Sequence, residues 1–348
     1  MNENISSCIL VTGGYGFIAS NFLNYIVPKF PQCIFINLDR LDKVASRKNV
    51  IPEVHNARNY IEVIGDCSSV DLIKFLLKTY RVDRIVHFAA QTHVDNSFGN
   101  SFHFTQDNVY ATHVLLECAR NHQLIQSFIH VSTDEVYGEI GLNDPPSDPT
   151  FSFLNPTNPY AATKTAAEYL VKSYSISYGL PTIITRCNNV YGPRQYPEKV
   201  IPRFILQSLT GMNITVQGNG SARRRFVHAE DVARAYEVIL LKGIPGSIYQ
   251  IGTADEFSVI EIGQMIHSKI RPHIPYESIL QWVQDRPFND SRYAVNTSLL
   301  EQLGWKPQIS FHDGLMNTIE WYSKITSDHW SERVDLTPPS LIGNLEKK

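Results

Sequence analysis

The stretch Ser7-Cys8-Ile9-Leu10-Val11-Thr12 runs into Gly13-Gly14-Tyr15-Gly16, and a helix-compatible segment follows to about Val27. A short apolar run closed by a glycine turn reads as a strand buried on both faces. Gly13 and Gly16 let the backbone turn tightly and approach a pyrophosphate, which a helix N-terminus attracts. Phe17 and Ile18 open that helix. The spacing is G-x-x-G-x-x-A, with Ala19 in the last small position, and differs from the common G-x-G-x-x-G fingerprint. Strand, turn and helix in this order point to a βαβ unit and a parallel sheet.

The segments that follow keep the alternation. Cys33 to Leu38 is a second strand, and Asp39 ends it. That position lies about twenty residues beyond the glycines, where an acid hydrogen-bonds the adenosine ribose. A carboxylate there repels a 2′-phosphate, so NAD is favoured over NADP; Arg40 and Arg47 pull weakly the other way. A third strand, Tyr60 to Ile64, ends at Gly65-Asp66, an adenine-edge contact. A helix is expected from about Ser69 to Tyr80. The fourth strand, Arg84 to Phe88, ends in Ala89-Ala90, small enough for a dinucleotide to pass closely. His93 follows, as either a substrate contact or a structural histidine. A helix from about Ser101 to Asn121, strands at Phe128–Val131 and Thr182–Arg186, and a helix to about Tyr178 complete some 180 residues of alternation. The fold class is α/β, a doubly wound parallel sheet of Rossmann type with a smaller mixed α/β C-terminal domain.

Chemistry concentrates after the fifth strand. Thr133, Asp134 and Glu135 stand where that strand gives way to a loop, the sheet edge at which ligands bind. About twenty residues later, Asn158 is a good N-cap and Pro159 suits a first helical turn. Tyr160 and Lys164 are four apart and share one helix face. A free phenol has a pKa near about 10 and is a poor base at neutral pH. A nearby ammonium favours the phenolate, so Lys164 is expected to lower Tyr160. A tyrosine so tuned takes a proton from a sugar hydroxyl while a hydride leaves the same carbon. Asp134 and Glu135 offer an acid and a base if their surroundings push their pKa values apart.

After Arg186 the pattern turns irregular and polar. Residues 1–186 are assigned to the dinucleotide-binding domain, with segments near 226–252 returning to it. Residues 187–330 form the second domain, and a mobile tail begins at about Ser331. Arg223-Arg224-Arg225 is a basic cluster in a chain of net charge -3 and suits a diphosphate. Asp285-Arg286-Pro287-Phe288-Asn289 adds a cation in a loop. The slight negative balance gives no sign of a nucleic-acid or membrane surface. No apolar run approaches the roughly 18 residues of a membrane span. The five cysteines have no metal-ligand or C-x-x-C spacing, which reads as reduced thiols in a cytoplasmic setting without a signal peptide.

With Thr12-Gly13-Gly14-Tyr15-Gly16-Phe17-Ile18, Thr133-Asp134-Glu135-Val136-Tyr137-Gly138, Tyr160-Ala161-Ala162-Thr163-Lys164 and Asp285-Arg286-Pro287 in order, the chain resembles the extended short-chain dehydrogenase/reductases that act on nucleotide sugars. It is most similar to the dTDP-glucose 4,6-dehydratase family, from about Ile9 to Tyr322. The resemblance implies a bound, internally regenerated NAD+. It also implies Tyr160 with Lys164 as base at the glucose 4-hydroxyl, and Thr133 as a hydrogen-bond partner there. Glu135 would take the C5 proton, and Asp134, held neutral or sharing a proton, would protonate the departing 6-hydroxyl. By the same resemblance Gly13, Gly16, Phe17, Ile18, Asp39, Asp66, Ala89, Ala90, Tyr160, Lys164 and Cys187 line the cofactor. Asn189, Lys199, Arg224, Asp285, Arg286 and Asn289 hold the nucleotide diphosphate, and a homodimer forms through the Ser101–Asn121 and Tyr160–Tyr178 helices. Arg225, Ser258 and Asn289 depart from the family on the nucleotide side, leaving thymine or uracil open. The rivals are a 4-epimerase or decarboxylase of the same fold, and a non-catalytic NAD-binding regulator.

Overall fold

The protein is seen here as a computed structural model that describes residues 7–330, Val334 and Leu336. Strand and helix alternate through β1 (Cys8–Thr12), α1 (Phe17–Lys29), β2 (Ile34–Asp39), α2 (Pro52–His55), β3 (Tyr60–Ile64), α3 (Val70–Tyr80) and β4 (Arg84–His87). Then come α4 (Val94–Gly99), α5 (Ser101–Phe104), α6 (Ala111–His122), β5 (Ser127–Thr133), α7 (Pro159–Tyr178) and β6 (Thr182–Cys187). The second half contains β7 (Asn189–Tyr191), α8 (Val200–Leu209), β8 (Ile214–Gln217), β9 (Arg223–His228), α9 (Ala229–Lys242), β10 (Ile248–Ile251) and β11 (Glu256–Ser258). It ends with α10 (Val259–Ile270), β12 (Leu280–Val283), α11 (Ser298–Gln302) and α12 (Phe311–Lys324).

A seven-stranded sheet has the order β10-β6-β5-β4-β1-β2-β3, and its strand pairs are parallel. Strands such as Cys8–Thr12, buried at every residue, can be apolar on both faces because helices cover both sides. On one side α1 and α9 bring Phe22, Leu23, Val232 and Tyr236 against it. On the other, α3, α6 and α7 contribute Leu76, Leu115, Leu116 and Val171. Each such fully buried side chain stabilises the fold by about 1.5–3 kcal/mol. The chain order reverses between β1 and β4, which opens a crevice at the strands' carboxyl ends.

A separate core forms around Phe204, Ile214, Val216, Ile262, Ile266, Phe311 and Leu315. It carries the small sheets β11-β9-β7 and β12-β8. The segment from Ala229 to Ile251 rejoins the first layer: α9 packs on α1, and β10 forms an edge of the large sheet.

One expectation needs amendment. The helix expected from Ser101 to Asn121 is interrupted by a π-helical turn, Thr105–Tyr110. Asn108 in that turn is buried; it receives the Gln91 N–H at 2.8 Å and donates to the Thr163 hydroxyl at 3.0 Å. A wider turn is a common way to aim one side chain inward. The mobile tail expected from Ser331 lies mostly outside the described residues. Of the two that are described, Val334 packs on the C-terminal core and the Leu336 carbonyl accepts from Gln207 Nε2 at 3.2 Å. No helix among the described residues is long and apolar enough to cross a membrane.

Candidate active site

At the switch point, the Gly13 N–H donates to the Leu38 carbonyl at 2.8 Å, and Gly13 has φ +72°. A Cβ at Gly13 would lie 2.8 Å from Ala89 Cα, so β1 and β4 converge only because this residue is glycine. Gly16 caps α1 without a side chain, which leaves the helix's first N–H groups facing a cleft of about 300 Å³. Gly13, Gly16, Phe17, Ile18, Asp39, Asp66, Ala89, Ala90, Tyr160, Lys164 and Cys187 all line it.

The Asp39 carboxylate is braced by the N–H groups of Tyr15 at 2.9 Å and Leu41 at 2.7 Å. Burial raises its pKa against those donors. The pull toward NADP expected of Arg40 and Arg47 is not realised. Arg40 is bound to Asp42, Asp66 and Asp107 at 2.9, 3.1 and 2.5 Å, and Arg47 to Glu62 at 2.6 Å. With both guanidiniums engaged by carboxylates, the cleft fits a dinucleotide carrying a ribose 2′-hydroxyl.

Thr133 ends β5 and caps a 3-10 turn, Asp134–Tyr137, accepting the Glu135 N–H at 3.3 Å. The turn is fastened from behind. Tyr137 accepts from Arg186 Nη1 at 2.5 Å, and Arg186 forks onto Glu168 of α7 at 3.0 and 2.6 Å. Losing one partner of such a buried pair costs about 3–5 kcal/mol. Gly138, at φ +74°, passes so near the Asn155 carbonyl that a Cβ would sit 2.1 Å from it. Asn158 joins the two halves of the motif: its Oδ1 caps α7 through the Ala161 N–H at 2.8 Å, and its Nδ2 donates to Glu135 Oε2 at 3.1 Å.

Asp134 is buried. Its Oδ2 accepts from Asn188 Nδ2 at 2.7 Å, and its Oδ1 accepts from the Thr133 hydroxyl at 3.2 Å. Burial first, and then the neighbouring Glu135, push its pKa up to about 7, while Asn188, Arg224 and Thr133 oppose the rise. The expected tuning of Tyr160 is not found in the protein groups alone. Burial raises its pKa, with Glu135 adding to the rise and Thr133 opposing it. Lys164 is itself pushed down to about 8 by burial, against the pull of Glu168. One turn of helix brings the two side chains to the same cleft, but burial is the largest influence on each.

A second cleft, about 160 Å³, adjoins the first; Glu135, Asn189 and Lys199 line both. His93, Arg224, Arg286 and Asn289 line the second. His93 lies between Asp95 (4.0 Å) and Glu198 (3.8 Å), and burial lowers its pKa. Lys199 donates to the Thr92 carbonyl at 2.7 Å. The arginine cluster divides by strand alternation. Arg224 faces the cleft, lies 4.6 Å over the Tyr293 ring and donates to Asn289 Oδ1 at 3.2 Å. Arg223 and Arg225 turn away to Glu256 at 3.2 and 3.4 Å, so the cluster supplies one cleft cation rather than three. Asp285 is not on either cleft. Its carboxylate accepts from the Arg286 N–H at 2.9 Å and from Asn289 Nδ2 at 3.2 Å, bracing that loop. Ser258 caps α10 in a capping box with Glu261.

Sequence reasoning did not single out Asn188, Arg203 or Tyr293. Arg203 is buried and lines the second cleft from α8; its signal was an arginine inside the apolar run Val200 to Leu206. Asn188 sits directly before Asn189 at the strand end. Tyr293 had no local signal.

A parallel sheet with its glycine turn at the switch point, and Tyr160 and Lys164 facing a cleft that suits a dinucleotide, define an extended short-chain dehydrogenase/reductase. A family profile described as GDP-mannose 4,6 dehydratase matches residues 10–318, and the chain belongs to that family. It is 48% identical over 316 residues to a trifunctional Arabidopsis thaliana protein named UDP-glucose 4,6-dehydratase/UDP-4-keto-6-deoxy-D-glucose 3,5-epimerase/UDP-4-keto-L-rhamnose-reductase. That match covers 91% of this chain and 47% of the plant protein, so the chain spans about half of that relative's length. The mouse dTDP-D-glucose 4,6-dehydratase is 45% identical over 319 residues, 91% of this chain and 88% of the relative. The crystal structure of dTDP-glucose 4,6-dehydratase from Streptomyces venezuelae with NAD and TYD bound superposes with a TM-score of 0.86. It is 37% identical and covers 93% of this chain and 98% of its own.

Proposed function

We propose that this chain is an NAD-dependent nucleotide-diphosphate-glucose 4,6-dehydratase, a hydro-lyase that takes dTDP-glucose, UDP-glucose or both. The observation that carries the reading is the placement of Asp134. A buried carboxyl able to hold a proton near neutrality sits beside Glu135, in the same cleft as Tyr160 and Lys164.

Bound NAD+ would supply the hydride acceptor for C4, the later donor to C6, and a positive charge beside the phenol. Tyr160 accepts the 4-hydroxyl proton, with Lys164 compensating the phenolate that burial and Glu135 oppose. Thr133 hydrogen-bonds the same hydroxyl. The new 4-ketone acidifies the C5 hydrogen, which Glu135 removes; Asn158 holds that carboxylate in place. Asp134 gives its proton to the 6-hydroxyl, the C6–O bond breaks and water leaves. Reprotonation at C5 completes a 4-keto-6-deoxyglucose nucleotide. In the second cleft Arg224, Arg286 and Lys199 meet the diphosphate.

A 4-epimerase has no need of an acid at C6 or a base at C5, so the Asp134–Glu135 pair argues against it. A non-catalytic regulator has no use for Tyr160 and Lys164 in the cleft. Exposed Phe102, Tyr110, Tyr169 and Ile176 on the helices from Ser101 to His122 and on α7 support a homodimer through that face. The free cysteines suit a reducing, cytoplasmic setting.

The test is incubation of the purified chain with dTDP-glucose and UDP-glucose separately, without added NAD. A 4-keto-6-deoxy sugar nucleotide is expected from at least one. Formation of the 4-epimer alone, or no conversion by a chain that carries NAD, would overturn the reading.

A further inference from the structure

We infer that Asn188 is a positioning residue for the dehydration step: its amide biases which oxygen of Asp134 carries the transferable proton, and Gly252 exists to admit it. The inference rests on the dehydratase reading above. Asn188 is 2% exposed and stands at the end of β6, where its backbone N–H donates to the Ile251 carbonyl at 2.9 Å. Its side chain donates to Asp134 Oδ2 at 2.7 Å, whereas its own Oδ1 is buried without a hydrogen-bond partner among the described residues. An unsatisfied buried carbonyl is costly, and an apolar residue of the same size would avoid it. The bond to Asp134 is what the fold gains in exchange.

Space for the amide is made by glycine. A Cβ at Gly252 would lie 2.1 Å from Asn188 Oδ1 and 3.2 Å from a Val295 methyl. Gly252 does not have a positive φ, so its lack of a side chain answers to this contact rather than to backbone strain.

The chemical consequence follows from donor and acceptor roles. An N–H cannot accept, and it favours the stronger, carbonyl-type acceptor, so a neutral Asp134 facing Asn188 through Oδ2 is biased to carry its proton on Oδ1. Oδ1 is also the oxygen that meets Thr133, whose hydroxyl donates to the ionised carboxylate and can turn to accept from the neutral acid. The acid therefore presents its proton on the side of the residue that touches the sugar hydroxyls. The other ionisable groups around the carboxyl are Glu135 of its own turn, Arg224 of β9, Tyr160 of α7 and Cys187 at the end of β6. Asn188 is the nearest neutral donor that lowers its pKa. Removing it weakens Asp134 as an acid and frees its proton to either oxygen, without touching the groups that oxidise C4.

The experiment compares native protein, Asn188→Leu and Gly252→Ala, each checked for bound NAD. Both variants should oxidise C4 at the native rate, seen as reduced-nicotinamide absorbance on mixing with the nucleotide sugar. They should then lose water about 10- to 100-fold more slowly, as expected for loss of a hydrogen bond to an ionisable group. The limb of the kcat profile set by Asp134 should move to higher pH while KM stays put. Native elimination rates and a native pH profile in both variants would overturn the inference. Should Asn188→Leu fail to fold, Gly252→Ala decides alone, since it displaces the amide from behind with Asn188 intact. If native protein forms no keto sugar, the dehydratase reading itself has failed. An active native protein with unaffected variants refutes only the role of Asn188.

Discussion

The two clefts share Glu135, Asn189 and Lys199, yet they meet phosphate in opposite ways. On the cofactor side carboxyl groups outnumber cations: Asp39, Asp42, Asp66, Asp107, Asp134, Glu135 and Glu198 against Arg40, Lys164 and Lys199. Arg40 is moreover tied to three of those carboxylates. A pyrophosphate there would be left to backbone N–H groups at the start of α1, brought close by Gly13 and Gly16. On the substrate side Lys199, Arg203, Arg224 and Arg286 face Asp95, Glu135 and Glu198, and the sign reverses. Backbone donors are rigid and suit a cofactor that stays bound. Guanidiniums on long side chains suit a diphosphate that arrives and leaves with each turnover. The proposed chemistry falls on the seam, where a neutral-prone Asp134 stands beside Glu135.

The largest expected break is Tyr160→Phe. Losing the proton acceptor should lower turnover by about 10³-fold or more and abolish any reduced-nicotinamide transient. Normal turnover would take Tyr160 out of the mechanism while leaving the two clefts as described. Next is Gly13→Ala, which places a Cβ in a left-handed conformation against Ala89. Strain of about 1–3 kcal/mol, together with the clash, should yield a folded protein purified without its nicotinamide. Full NAD content would show that the backbone contact is not what holds the cofactor.

Arg224→Ala and Arg225→Ala sharpen the contrast within one strand. The first should raise KM for the nucleotide sugar about 10- to 100-fold, as for a lost charge-assisted hydrogen bond, and leave NAD content unchanged. The second should change KM by less than about two-fold, since Arg225 faces Glu256. Equal effects would refute the alternation.

The smallest effect is on stability, and its sign is opposite to that on rate. Asp134 is pushed from 3.8 to about 7 in the fold. Native protein therefore binds more protons than unfolded chain between those pH values, and stability falls as pH rises through them. Asp134→Asn should be indistinguishable from native protein in urea unfolding below pH 4 and more stable, by up to about 4 kcal/mol, above pH 7. A variant less stable than native at pH 8 would show that the carboxyl is not penalised by burial.

The cofactor cleft was legible in sequence because each strand delivers its residue at a fixed offset: Gly13 after β1, Asp39 after β2, Ala89 after β4, Thr133 after β5. The helix that brings Tyr160 and Lys164 to the cleft was legible because Asn158, Pro159, Tyr160 and Lys164 obey local capping and periodicity. The substrate cleft was only partly so. Its lining comes from the segments around His93, Asn189, Arg203, Arg224, Arg286 and Tyr293, which the fold, not adjacency, brings together. Asn188 and Gly252 are sixty-four positions apart and meet because β10 pairs with β6. The phenol's pKa was misjudged for a related reason: helical spacing reports a neighbour such as Lys164 but says nothing about burial, which dominates Tyr160.

In the proposed mechanism, oxidation at C4 belongs to Tyr160 and Lys164 of α7, and loss of water at C6 to Asp134 and Glu135 after β5. Rapid mixing of Asp134→Asn with the accepted nucleotide sugar, followed by nicotinamide absorbance, separates the two steps. A rise at the native rate that persists is expected, because elimination stalls. A rise that decays as fast as in native protein, or no rise at all, would contradict that division.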